Sequence, residues 1–332
     1  MRKIVPLLLG VLVSVPVVFA ATTGYRLLGD VKVGGDGGWD YLTVDSAARR
    51  LYVSHATHVA VIDIDAGKVV GDIPDTPGVH GIAIAAELNR GFVSNGRSNN
   101  VTIFDLKTLK SLGQAATGEN PDSIRYDAVS GRVFTFNGRS KNSTAIDAKT
   151  GTVAGTIALP GKPEFAVADG KGKIYVNIED TNEIVEIDSV KATMTKKYSL
   201  GPCQEPSGLA IDTKSRRLFS VCSNRLMAIS DPDAGKVVTT LAIGAGSDGV
   251  AFDPGTGYAF SSNGDGTLTV VQQTAGAWAV VENVATERGA RTIAIDEKSH
   301  RVFLPTAKSA PVPAGGRASY LPDSFKVLIV GK

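Results

Sequence analysis

Apolar positions in this chain come in short runs rich in Val, Ile, Tyr and Phe, broken by Gly, Asp, Asn and Lys, with no long amphipathic period. Such runs predict strands rather than helices. One cluster recurs: an apolar strand ending in Asp, a polar turn, a basic or small residue, an aliphatic and an aromatic. It reads LTVDSAARRLYVS, IAIAAELNRGFVS, IRYDAVSGRVFTF, FAVADGKGKIYVN, LAIDTKSRRLFSV, VAFDPGTGYAFSS and IAIDEKSHRVFLP. The aromatic anchors Tyr52, Phe92, Phe134, Tyr175, Phe219, Phe260 and Phe303 lie 40, 42, 41, 44, 41 and 43 residues apart. That spacing is the length of a four-stranded propeller blade. A third strand ends near Ile-Asp, as in VAVIDID and EIVEID, and a Gly-Lys-Val-Val turn at 67–70 and 235–238 leads into a fourth. The pattern predicts an all-β, seven-bladed β-propeller.

The last repeat supplies three strands, ending in SFKVLIVGK, while YRLLGDVKVGG near the N-terminus resembles the fourth-strand segment KVVGDIPDTPG. The N-terminal strand is therefore expected to complete the last blade, which removes free sheet edges and makes residues 21–332 a single domain. Residues 1–20 read as a signal peptide. Arg2 and Lys3 precede an uncharged run from Ile4 to Phe19, and Val18-Phe19-Ala20 has the small residues of a cleavage site. The apolar run is short for a membrane span. The expectation is a periplasmic or secreted monomer with no span after cleavage, an uncleaved anchor being the minor alternative.

Removing residues 1–20 takes away two cations, so the balance of 35 basic against 33 acidic residues becomes neutral. A neutral chain has no global field for nucleic acid. No C-x-x-C-H occurs, which excludes covalent c-type haem on that motif. There is no Gly-x-Ser-x-Gly elbow, phosphate loop or dinucleotide fingerprint.

The repeat grammar, with segments such as RLYVSHATHVAVIDIDAGKVVGDI and KIYVNIEDTNEIVEIDSVK, resembles the YVTN family of bacterial β-propellers, the YncE-like proteins among them. The resemblance spans the mature chain. It implies the propeller fold and export, and a range of roles: binding at the cell surface or in the periplasm, kinship with haem-carrying and quinoprotein propellers, and proposed DNA binding. Fold does not imply function, so chemistry must come from the loops.

Two columns of the repeat point to a site at one mouth of the channel. The residue that opens the first strand of each blade reads Asp40, His80, Asp122, Glu164, Ser207, Asp248 and Arg291. It is polar throughout but differs in type, unlike the repeated turn residues Asp45, Asp127, Asp169, Asp212, Asp253 and Asp296, which suit backbone capping. Asp40, His80, Asp122 and Glu164 are the candidate acid–base or catalytic groups. On the same face, identical Asn-Gly-Arg-Ser loops carry Asn95 and Arg97 in blade 2 and Asn137 and Arg139 in blade 3; blade 4 adds Glu179. With Asp248 and Arg291 these are candidate ligand-binding residues, the guanidiniums suiting carboxylate or phosphate.

Three of the four histidines, His55, His58 and His80, map to this face, and they form a candidate set for a divalent metal. Cys203 and Cys222 are expected to form one disulfide in an oxidising compartment. A long insertion in blade 7, Ala307 to Asp323, carries Pro311, Pro313 and Pro322 and could cover the mouth. Two functions stay open: binding of a small anion, metal or protein partner at the channel mouth, or a metal- or acid–base-dependent lactonase, lyase or hydrolase built on the ring.

Overall fold

Seven four-stranded antiparallel sheets form a ring in the computed structural model, which describes residues 23–311 and 319–332. The segment read as a signal peptide and the middle of the blade 7 insertion lie outside the described residues. In each blade the strands run A to D from the channel outward. Blade 1 is Leu42–Asp45, Arg50–His55, His58–Asp63 and Lys68–Ile73. The A strands of blades 2 to 6 are Val79–Ala85, Pro121–Asp127, Pro163–Ala168, Pro206–Asp212 and Ser247–Asp253.

Blade 7 has A, B and C strands Ala294–Asp296, Arg301–Thr306 and Lys326–Gly331. Its D strand is Arg26–Lys32, which pairs antiparallel with Lys326–Gly331. The ring is thus closed by hydrogen bonds between the two ends of the chain, as the sequence predicts.

Strands B and C bury nearly every side chain, whereas D strands such as Lys68–Ile73 are mostly exposed. Both faces of a blade pack on neighbouring blades, so middle strands meet apolar surface on each side, and an unbroken apolar run is the sequence that suits them. The seven anchor aromatics are all fully buried between blades. The Asp repeated at six of the seven A–B turns caps backbone: Asp45 Oδ1 accepts from Ala47 N and Ala48 N, and Asp212 Oδ1 from Lys214 N.

Candidate functional site

In blades 2 to 6 the opening of the A strand is where the sheet register breaks. Pairing between strands A and B slips between Pro121 and Ser123, Val79 and Ile82, Pro163 and Ala166, Pro206 and Leu209, and Ser247 and Gly249. Asp122, His80, Glu164, Ser207 and Asp248 sit in these bulges. A bulge frees one residue from the ladder and re-aims its side chain, here toward the channel mouth. Serines of the B strands satisfy the freed backbone: Ser54 Oγ accepts from Asp40 N at 2.8 Å and Ser94 Oγ from Gly81 N at 2.9 Å.

Six of the seven positions carry ionisable side chains, all of them paired, and the seventh, Ser207, donates to the Ser247 carbonyl at 3.4 Å. His80 Nδ1 lies 2.5 Å from Asp40 Oδ2 and 3.4 Å from Asp122 Oδ1. Arg291 Nε donates to Asp248 Oδ2 at 2.9 Å, and its guanidinium stands 5.8 Å from the Trp39 ring centre. Lys162 Nζ bonds Glu164 Oε1 at 2.6 Å and also Glu179. Burial disfavours charge on His80, but the Asp40 hydrogen bond and the charges of Asp122, Asp40 and Glu164 outweigh it and hold the imidazole up at about 9. Burial pushes Asp122 up to about 7, with His80 opposing. Glu164 is raised by burial and by Asp122, against the pull of Lys162.

Beneath the ring, the buried Tyr41 meets Phe165 with ring centres 4.8 Å apart. These side chains come from blades 1 and 4, so they cross the channel and divide it. Burial, then the carboxylates of Asp122, Asp40, Glu164 and Asp248, raises the Tyr41 phenol well above its ordinary value, so it stays a hydrogen-bond donor. Above the ring a funnel of about 500 Å³ is lined by Trp39, Asp40, His80, Asn120, Arg97, Arg139 and Arg291, among others. Arg97 and Arg139 are exposed at its lip, and their guanidiniums have no hydrogen-bond or ion-pair partner among the described residues.

The structure corrects part of the predicted ligand set. Asn95 and Asn137 are fully buried. Asn95 Nδ2 donates to Asn100 Oδ1 and Thr102 Oγ1, both at 2.8 Å; Asn137 Nδ2 donates to Asn142 Oδ1 at 2.7 Å and Thr144 Oγ1 at 3.0 Å. Asn263 of blade 6 does the same with Thr267 and Thr269. These asparagines tie strand B to strand C and do not face a ligand. Glu179 is committed to Lys162 rather than free.

The three histidines do not form one metal set. His55 is buried and stacked on Phe325 at 4.3 Å, where burial and then His58 lower its pKa to about 4. His58 faces Asp72 at 3.7 Å, in a separate groove with Asp75, Pro77 and Gln114. The cluster among the described residues with ligand atoms close enough for one ion is Asp40, His80 and Asp122, within 4.8 Å of one another. An imidazole nitrogen and two carboxylate oxygens suit a divalent transition metal.

Sequence reasoning missed Lys162 and Tyr41. The signal for Tyr41 lay in the column after the ring residue, where Tyr41 and Phe165 stand against Gly81, Ser123, Gly208, Gly249 and Thr292. The blade 7 insertion is anchored beside the mouth: Tyr320 packs on Trp39 at 4.7 Å, and Asp323 Oδ1 accepts from Gly35 N at 3.0 Å. Cys203 and Cys222 are bonded, with Cα atoms 5.6 Å apart, linking the connection before blade 5 to the end of its B strand, Arg217–Cys222.

The backbone is similar to a solved chain of hydrazine synthase from Kuenenia stuttgartiensis, with a TM-score of 0.71 over 88% of this chain and 97% of that one. The identity is 14%, so the likeness speaks to the propeller fold alone. No family model and no curated protein matches the sequence. No helix among the described residues is long and apolar enough to cross a membrane.

Proposed function

We propose that this chain is an exported, YVTN-type propeller that binds a small anionic ligand, or the acidic end of a protein segment, in its top funnel. The observation that carries the reading is the pair Arg97 and Arg139. Identical turns of adjacent blades set two uncommitted guanidiniums on one lip, while the neighbouring cations His80, Lys162 and Arg291 already have carboxylate partners. An anion entering here meets two bidentate donors without breaking an internal pair. The apolar leader and the Cys203–Cys222 bond support a periplasmic or secreted location.

A second reading rests on Asp40, His80 and Asp122. A divalent metal held by these groups would leave open positions toward the funnel, and a bound anion would complete them. That arrangement would support metal-assisted hydrolysis or elimination on an anionic substrate.

Calorimetry with phosphate and with succinate, on protein stripped of metal and then reloaded with Zn²⁺ or Mn²⁺, tests both. Binding that weakens about tenfold or more in Arg97→Gln/Arg139→Gln and needs no metal supports the first reading. Binding that appears only with metal, and is lost in Asp122→Asn, supports the second. No binding in any state would sink both.

A further inference from the structure

We propose that the lower half of the channel is a second binding site, for a small monocarboxylate with an apolar body, held by Arg125. The reading is independent of the funnel, from which the Tyr41–Phe165 contact separates it.

The argument begins with the repeat. Three residues after each ring position, six blades carry Thr43, Ala83, Val167, Ala210, Ala251 and Ala294; blade 3 carries Arg125. The fold needs a small or apolar side chain in this column and has been given a guanidinium once. That group lines a chamber of about 260 Å³ whose walls are mostly aliphatic and aromatic, among them Leu42, Ile124, Leu209, Val250 and Ile293.

Arg125 has little to offset its charge. Its Nε donates to the Ala166 carbonyl at 3.0 Å and its guanidinium carbon stands 5.0 Å from the Phe165 ring centre. No carboxylate pairs with it among the described residues, so its two terminal nitrogens remain free to donate. Burial alone lowers its pKa, to about 10, which still leaves it charged at neutral pH. Arg125 is only half-buried, yet a guanidinium that faces apolar side chains with no anion beside it still carries a desolvation cost. A carboxylate on the free edge would remove that cost and gain two parallel hydrogen bonds.

The chamber's walls then choose the rest of the molecule. An apolar cavity of ~150 Å³ takes benzene, so this one has room for a ring or short chain attached to the carboxylate. Glu297, exposed at the turn-face end of the chamber, is the other charged lining residue. It disfavours a second negative charge near the opening, which selects monoanions over dianions.

The test uses benzoate and hexanoate as probes, with benzyl alcohol, hexylamine and chloride as controls, on the purified full chain by calorimetry. The carboxylates are expected to bind, the alcohol and amine at least about tenfold more weakly. Arg125→Ala, which installs the residue found in four other blades, should lose the carboxylates. Arg125→Lys, which keeps charge without the fork, should weaken them less. Arg97→Gln/Arg139→Gln should leave them unchanged, which separates this site from the funnel. Equal binding of the alcohol, full competition by chloride at matched concentration, or carboxylate binding that survives Arg125→Ala in a folded variant would each overturn the proposal.

Discussion

Arg49 of blade 1 donates through Nη1 to Asp296 of blade 7 at 2.7 Å, across the seam where the ring closes. The Asp296 carboxylate is fully buried and also accepts from Ser299 Oγ at 2.6 Å, while the other edge of Arg49 holds Asp65 at 2.8 Å. The same clamp joins blades 4 and 5, where Arg216 bridges Asp169 and Asp233. Arg49→Met leaves a buried carboxylate without its cation, and is expected to cost about 3 kcal/mol in urea denaturation. Asp65→Asn, which removes an exposed partner, should cost under about 1 kcal/mol. Equal costs for the two variants would show that the seam does not depend on this pair.

Acid stability follows from the same residue. Burial raises the Asp296 pKa, but hydrogen bonds from Ser299, Ser46 and Arg49 outweigh it and lower the value to about 2. A lowered carboxylate pKa contributes stability that is present above the unfolded value near 4 and lost as pH falls through 2. Wild-type protein should therefore lose stability between pH 4 and 2 more steeply than Arg49→Met. Thermal melts across that range check it, and parallel curves would refute the assignment.

At the channel mouth the sign is reversed. His80 is raised to about 9 and Asp122 to about 7, so both favour the protonated, folded state. The His80 contribution is full below its unfolded value near 6.5 and disappears as pH rises through 9; the Asp122 contribution fades as pH rises through 7. Chelator-treated protein is expected to lose stability progressively as pH rises from 6 to 9.5. His80→Gln should flatten that slope, read by urea midpoints at each pH. An unchanged slope would mean that the His80 charge is not coupled to folding.

Reduction should act locally and measurably. The Cys203–Cys222 bond closes a loop with a sequence separation of 19, for which chain entropy gives about 3 kcal/mol. Dithiothreitol should lower the melting temperature by several degrees, and Cys203→Ala/Cys222→Ala should be equally destabilised but insensitive to reductant. A reductant effect that persists in the double variant would assign the loss to something other than this bond.

The blades were legible because each strand's packing environment repeats, and repetition prints itself on the sequence at intervals of about 40 residues. The ring was legible for the opposite reason: a polar column that changes residue from blade to blade is not serving the fold uniformly. Asn95 and Asn137 were misread although the same logic condemned a ligand role for them. An asparagine that ends a B strand and recurs opposite a C-strand threonine marks a structural device, here a clamp between strands B and C, whereas the arginine two residues on is exposed. His55 was misread because a polar residue ending a B strand looks like a loop residue until its stacking on Phe325 is seen. The pairing of Lys162 with Glu164 depends on a bulge, and a bulge leaves no residue count in a single sequence.

The two identical turns separate fold from function. Asn137 makes three hydrogen bonds, two of them buried, counting the one its Oδ1 accepts from Thr135 Oγ1 at 2.9 Å. Asn137→Ala strands those partners and should cost about 1–3 kcal/mol, while the surviving folded protein keeps its affinity for a funnel anion. Arg139, two residues on, is exposed and uncommitted, so Arg139→Gln should leave the urea midpoint within about 0.5 kcal/mol of wild type and weaken the anion. Anion affinity here should also fall with added salt, because the lip charges are solvent-facing and screened over about 10 Å at 0.1 M. Stability and calorimetry on the same two variants decide the matter. If Asn137→Ala loses the anion while remaining fully folded, the asparagine belongs to the site after all; if Arg139→Gln destabilises the blade, the guanidinium is structural and the lip is not a receptor.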